Sequence, residues 1–308
     1  MSACDSVLLV AFGGPERRED IRPFLQRVAA GRPIPPERLE AVAHHYEAIG
    51  GRSPLGDLTR RQAAALGDAL AREGIARPVH VGMRNWHPFL RDTLARMGEA
   101  GHRRALGIIL SSLQTEASWD RYVEDVAAAR AQTGAGAPEV VWAAPWADHP
   151  LFIEAMVERA AAALLRVPAE RRGAAHLVFT AHSVPTAMAE GSPYTAQLAA
   201  AGQTIAGRLH QPRWSIAYQS RSGSPREPWL EPDIGDALRS LVAAAVTDVI
   251  VVPLGFVVDH VEVLYDLDVE ARQLAASLGL GFQRALTVND HPRFIAMLAD
   301  LVKRSVTA

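Results

Sequence analysis

A single cysteine, Cys4, stands among 308 residues. One thiol closes no internal disulfide and cannot by itself ligate an iron–sulfur cluster. Long apolar runs are also missing, because the longest stretches are broken by Thr247, Asp248 and Pro253; a transmembrane helix is therefore not expected. Charge of one sign is scarce too. The net charge is −2, so nothing points to nucleic acid or to an anionic membrane surface. The N-terminal MSACDSVLLVAFGGPE is too short in its apolar part for a usual signal peptide and runs straight into a turn. A soluble, cytoplasmic protein is the expectation. At 49% hydrophobic and 21% charged, the chain can bury a substantial core without staples, in one large or two medium domains.

What is present is alternation. Short apolar or β-branched runs predict strands at Val7–Phe12, Pro78–Arg84, Arg104–Leu110, Glu139–Pro145, Ala175–His182, Arg213–Ser220, Asp248–Phe256 and Gly281–Leu286. Amphipathic segments such as LTRRQAAALGDALARE lie between them. This pattern argues for an α/β protein of parallel sheets covered by helices. Eight strands fit two four-stranded units, 1–145 and 146–289, with a seam near APWADHP. The last helix, 290–308, is open to packing back on the first unit. No internal repeat is visible at the level of residues.

In open parallel sheets, ligands sit beyond the carboxyl ends of the strands. Four such ends here carry unusual residues: FGGPE, TAHSVP, YQSRSG and GFVVDHVE. FGGPE has neither GxGxxG nor GK[ST], so a tight strand-to-helix turn is the better reading. TAHSVP ends a strand on His182, which alone reads as a satisfied core histidine. Ser183 lacks the GxSxG elbow, so a hydrolase triad is not indicated. Histidine can accept a proton near neutral pH or ligate a metal. YQSRSGSPREPWLEP reads as a packed loop.

The stretch DHVEVLYDLDVE carries five acids, Asp259, Glu262, Asp266, Asp268 and Glu270, and no basic residue before Arg272. In a helix, Glu262, Asp266 and Glu270 recur every fourth residue and form one acidic stripe, with Asp268 on another face. A solvated helix face near its N-terminus is the bland reading. Against it, like charges at this spacing repel, and a passing cation would relieve the repulsion. Oxygen ligands suit a labile divalent metal.

Taken together, LLVAFGGPE, HHYEAIGGRSPL, GMRNWHPFL, FTAHSVP, YQSRSG with PWLEP, and GFVVDHVEVLYDLDVE resemble the ferrochelatases, which insert ferrous iron into a porphyrin. The pieces occur in family order from Leu8 to Glu270. The resemblance is strongest to the soluble bacterial type that acts on coproporphyrin. It implies two similar Rossmann-like units with a ligand cleft between them. It also implies that His182 and Glu262 are the catalytic residues at the metal-insertion point, with Asp266 and Glu270 continuing an acidic metal route. Phe12, His45, Tyr46, Ser53 and Tyr122 fall at porphyrin-lining positions. Arg32 is a candidate propionate partner, since a guanidinium matches carboxylate geometry, and Glu116 is a candidate oxygen donor toward iron.

Three departures from the family stand out. Phe12 occupies the place of a tyrosine that in some bacterial members binds the product iron, and a phenyl ring cannot ligate. Ala29 and Ala30 precede Gly31 where some relatives are basic. EASWDRY and EGSPYTAQ match the stretches that carry iron–sulfur cysteines in the actinobacterial branch, yet hold none, so no cluster is expected. The resemblance implies a monomer needing only porphyrin and ferrous iron, with no nucleic-acid partner and no stable membrane insertion. Two alternatives stay open at this level. One is a chelatase for another metal or ring, such as cobalt. The other is a non-catalytic porphyrin or heme carrier.

Overall fold

Strands whose side chains are buried on both faces build the centre of each sheet, and that is where the most continuous apolar runs went. The computed structural model describes residues 4–31, 34–222 and 227–307. It divides into two units. Unit 1 comprises the chain up to Ser111, Ala117–Pro145 and the chain from Asp290 onward; unit 2 comprises Ser112–Glu116 and Trp146–Asn289.

Unit 1 carries β1 (Ser6–Ala11), β2 (Val79–Met83), β3 (Arg104–Ile109) and β4 (Glu139–Trp142) in the order β2-β1-β3-β4, all parallel. Every residue of β1 is buried, as expected of a central parallel strand sheltered on both faces. Its helices are α1 (Ile21–Ala29), α2 (Pro36–Ala48), α3 (Leu55–Arg72), α4 (Leu90–Glu99) and α5 (Arg121–Thr133). One core cluster packs Leu8 and Val10 of β1 against Leu90, Leu94 and Met97 of α4 and Tyr122 and Val126 of α5.

Unit 2 repeats the plan. Its strands are β5 (His176–His182), β6 (Trp214–Gln219), β7 (Asp248–Val252) and β8 (Gly281–Arg284), in the order β6-β5-β7-β8, again all parallel. The helices are α6 (Pro150–Leu164), α7 (Thr186–Glu190), α8 (Tyr194–Arg208), α9 (Ile234–Ala243), α10 (Val261–Leu264) and α11 (Arg272–Ser277). The final helix, α12 (Pro292–Thr307), packs on α3 of unit 1. Arg61 meets Asp290 at 3.1 Å and Lys303 meets Glu73 at 3.0 Å on that contact.

All eight expected strands form. Most are a residue or two shorter than expected, and two are cut back further: β4 stops at Trp142 and β7 at Val252. Pro253 has no backbone N–H to continue the β7 ladder. The sheets also show a repeat that no residue-level match revealed, since the two strand orders are the same. Between the third and fourth strands of each sheet lies a π-helical stretch: Glu116–Asp120 before α5, and Asp266–Ala271 between α10 and α11. Such wide turns concentrate at functional sites.

Candidate functional site

In unit 2 the ends of β5 and β6 and the chain after β7 bring the principal polar groups together. His182 is the last residue of β5 and pairs in register with Gln219, the last of β6. Gly255 lets the post-β7 loop pass directly over β5. A Cβ there would lie 2.6 Å from the Cβ of Ala181, and its N–H donates to the Thr180 carbonyl at 3.0 Å. The chain then turns through Asp259 and His260 into α10, presenting Glu262 to His182.

The Nε2 atom of His182 lies 3.5 Å from Oε1 of Glu262, and Nε2 of His260 lies 3.5 Å from the other carboxylate oxygen. His182 Nδ1 donates to the Ser183 carbonyl. That bond leaves Nε2 as the nitrogen that exchanges a proton with Glu262. The Tyr194 hydroxyl donates to the His182 carbonyl at 2.8 Å, and the Gln219 side-chain amide donates to the Glu262 carbonyl. His182 and Glu262 keep 31% and 34% of their side-chain surface exposed, so both remain reachable.

The electrostatics follow from this contact. Burial opposes a charged imidazole, but the Glu262 carboxylate, with help from the Ser183 carbonyl and Asp266, pushes His182 up to about 9. Burial also opposes a charged Glu262, yet His182 and His260 hold it well below the usual carboxylate range. The resting pair is therefore an imidazolium facing a carboxylate.

Asp266 opens the π-helical stretch and accepts a hydrogen bond from the Ser220 hydroxyl. Burial is the main influence on it. The serine bond works against burial, while Glu262 and Glu270 add to it, and Asp266 is pushed up to about 7. Glu270 follows on the same stretch and is exposed. The expected regular helix over 259–270 is thus interrupted. Glu270 N–H bonds the Tyr265 carbonyl five residues back, which is the π pattern.

The remaining acids behave differently. Asp259 and Asp268 are both gripped by Arg284, a residue of β8 beyond the acidic stretch. Spacing alone could not reveal a partner 16 residues from one acid and 25 from the other. Among the described residues, no three or more His, Cys, Asp or Glu side chains are grouped as a metal-holding cage.

The residues expected to line a porphyrin lie mainly in unit 1. Phe12, at the end of β1, stays 36% exposed. Its ring stands edge-on to Phe24 at 6.3 Å, and Phe24 meets Tyr46 at 6.1 Å and Trp86 at 6.0 Å. The Arg84 guanidinium sits 4.3 Å over the Tyr122 ring and 6.0 Å from that of Phe12, and it pairs with Asp125. Phe12, Tyr46 and Tyr122 are therefore brought together, although Tyr46 and Tyr122 are themselves buried. Ser53 is also buried, its oxygen accepting from the Leu55 N–H at 3.3 Å. His45 is half-buried and held below its ordinary value, first by burial and then by Arg38 and His44. Glu116 is exposed and ends the short segment assigned to unit 2. Arg32 lies outside the described residues.

Several residues escaped the sequence reading. His260 was visible in DHVE but had no spacing to mark it. Gln219 and Ser220 sat in YQSRSG, which read as packing. Phe24 and Trp86 carried no signal beyond being aromatic.

The family model for ferrochelatase matches residues 4–306 of the chain. A coproporphyrin III ferrochelatase of Frankia alni is 47% identical over 98% of this chain and 80% of its own length. The coproporphyrin III ferrochelatase of Mycolicibacterium smegmatis is 44% identical over 97% of this chain and 88% of its own. Among solved structures, the sirohydrochlorin chelatase SirB of Bacillus subtilis subspecies spizizenii, in complex with cobalt, shares the fold at TM-score 0.58. Its identity is 10%, covering 98% of this chain and 95% of that one.

Proposed function

This chain belongs to the ferrochelatase family, and on that premise we propose that it inserts ferrous iron into coproporphyrin III in heme biosynthesis. The observation that carries the reading is the His182–Glu262 pair, an imidazole Nε2 and a carboxylate oxygen 3.5 Å apart. Insertion needs both a donor for an incoming cation and an acceptor for the two pyrrole N–H protons that leave.

Glu262 supplies the donor oxygen and His182 the acceptor. In the resting pair His182 already carries a proton, held there by the Glu262 charge. A ferrous ion arriving at Glu262 offsets that charge, so the imidazolium passes its proton to solvent by way of Asp266. The freed Nε2 then takes the two pyrrole protons one after the other, handing the first on by the same route, as the iron–nitrogen bonds form. His260 shares Glu262 from the other side and steadies the carboxylate during the exchange. Asp266 and Glu270 deliver the metal, and Asp266, raised to about 7, can also relay a proton near neutral pH.

On this reading Phe12, His45, Tyr46, Ser53 and Tyr122 hold the macrocycle, Arg32 meets a propionate, and Glu116 offers an oxygen toward iron. The relatives at 44–47% identity are coproporphyrin III ferrochelatases, which supports that ring. Its two additional propionates need polar partners or water, because an unpaired buried carboxylate is costly. The reading includes no iron–sulfur cluster and a soluble, cytoplasmic monomer. Among the described residues no helix is long and apolar enough to cross a membrane.

The test is anaerobic insertion of ferrous iron by the purified protein into coproporphyrin III and protoporphyrin IX side by side. Faster turnover of coproporphyrin is expected. Equal or better turnover of protoporphyrin would overturn the substrate assignment.

A further inference from the structure

Two of the five acids in Asp259–Glu270 take no part in the proposed metal route, and both converge on one guanidinium. Arg284 is the last residue of β8, with 7% of its side chain exposed. Its Nε lies 2.9 Å from each oxygen of Asp268, and Nη2 lies 2.6 Å from Oδ2, a fork-on-fork contact. Its remaining arm, Nη1, reaches Asp259 Oδ1 at 3.0 Å and the Ala285 carbonyl at 3.2 Å.

The rest of Asp259 is equally engaged. Thr287 donates its hydroxyl to Oδ1 at 3.1 Å, Asn289 donates its amide to Oδ2 at 3.2 Å, and the Asp259 N–H donates to the Asn289 oxygen at 3.0 Å. Asp268 also receives Arg272 at 3.0 Å. The two anchored acids therefore bracket the segment from His260 to Leu267. That bracketed segment carries Glu262 and Asp266, and it contains the junction between α10 and the π-helical stretch. At that junction the backbone bonding changes from the four-residue to the five-residue pattern, Tyr265 N–H bonding Val261 and Glu270 N–H bonding Tyr265, and the side-chain anchors stand on either side of the change.

We propose that Arg284 is a positioning residue: by gripping Asp259 and Asp268 it fixes the segment that presents Glu262 and Asp266 beside His182. The proposal rests on the iron-insertion reading for its kinetic consequences and on geometry alone for the rest. A lysine cannot reproduce it. Its ammonium has no planar fork to hold the Asp268 carboxylate bidentately while a further arm reaches Asp259. Outer residues that orient metal-binding groups typically matter by 10- to 100-fold in affinity or activity.

The test compares wild type with Arg284→Lys and with the triple variant Arg284→Met, Asp259→Asn, Asp268→Asn, which removes both carboxylates together with the guanidinium and so leaves neither unpaired if the lysine variant fails to fold. Two readouts are taken well below each variant's Tm. The first is the KM for ferrous iron against the KM for coproporphyrin III. The second, independent of turnover, is the visible absorption of Co2+ added alone to the porphyrin-free protein. Both variants should raise the iron KM about 10-fold or more, with the coproporphyrin KM within about twofold. Both should also weaken or alter the cobalt spectrum. A variant that only melts earlier, with an unchanged iron KM and an unchanged cobalt spectrum, would overturn the proposal. A wild-type protein that inserts no iron would sink the iron reading, while the cobalt comparison would still decide the role of Arg284.

Discussion

His182 Nε2 and Glu262 Oε1 stand 3.5 Å apart, and that contact fixes the protonation of both groups. Replacing Glu262 with glutamine removes the largest influence raising the imidazole, while burial, which lowers it, remains. In Glu262→Gln the His182 titration should fall from about 9 to near or below its ordinary 6.5. Imidazole NMR of the two proteins checks this. An unchanged His182 titration would mean that the pair does not interact as described.

The same pair sets a stability profile. Because His182 is raised, its stabilisation is complete below 6.5 and fades as pH climbs to about 9. Glu262 is depressed, so its share is present at neutral pH and lost on acidification. The Tm advantage of wild type over Glu262→Gln should therefore be greatest between the ordinary Glu and His values, 4.5 and 6.5, and shrink toward pH ~9. Thermal melts across that range measure it, and an advantage growing with pH would contradict it.

Asp266 carries the opposite sign. Its carboxyl is raised from 3.8 to about 7, so ionising it costs stability as pH rises through that interval. The double variant Asp266→Asn, Glu270→Gln should hold or raise the Tm, and more so above pH ~7 than below. Its KM for iron should rise several-fold while coproporphyrin affinity stays near wild type. Unchanged iron dependence would return these acids to a solvated helix face.

Phe12 offers a spectroscopic test. Its ring is 36% exposed and adjoins Phe24 and Arg84, so a hydroxyl at its tip needs no repacking of the core. Phe12→Tyr should bind ferric coproheme with a phenolate charge-transfer band that wild type lacks. Identical spectra for the two proteins would place Phe12 away from the iron.

The strands and their parallel pairing were legible because apolar runs such as VLLVAF and DVIVV are what a doubly covered sheet requires. His182 was legible as the end of such a run, and Glu262 and Asp266 as members of a four-residue spacing. Their chemistry was not. Whether an acid faces a metal, an imidazole or an arginine depends on contacts made through the fold. Asp259 and Asp268 look like Glu262 in sequence, yet Arg284 neutralises them from β8. The π-helical stretch escaped for a related reason, because its wider turn leaves no mark on hydrophobic periodicity. His260, one residue from an anchored aspartate, became visible as a partner of Glu262 only once α10 was placed.

The most direct measurement is the initial rate of ferrous insertion into coproporphyrin III by wild type and His182→Ala, under anaerobic conditions, with circular dichroism confirming that both are folded. His182 lies at a strand end with 31% of its side chain exposed, so its truncation should leave the fold intact. Loss of the proton acceptor should slow insertion by about 10²- to 10⁴-fold, with coproporphyrin still bound. A folded His182→Ala protein that inserts iron at the wild-type rate would contradict the account.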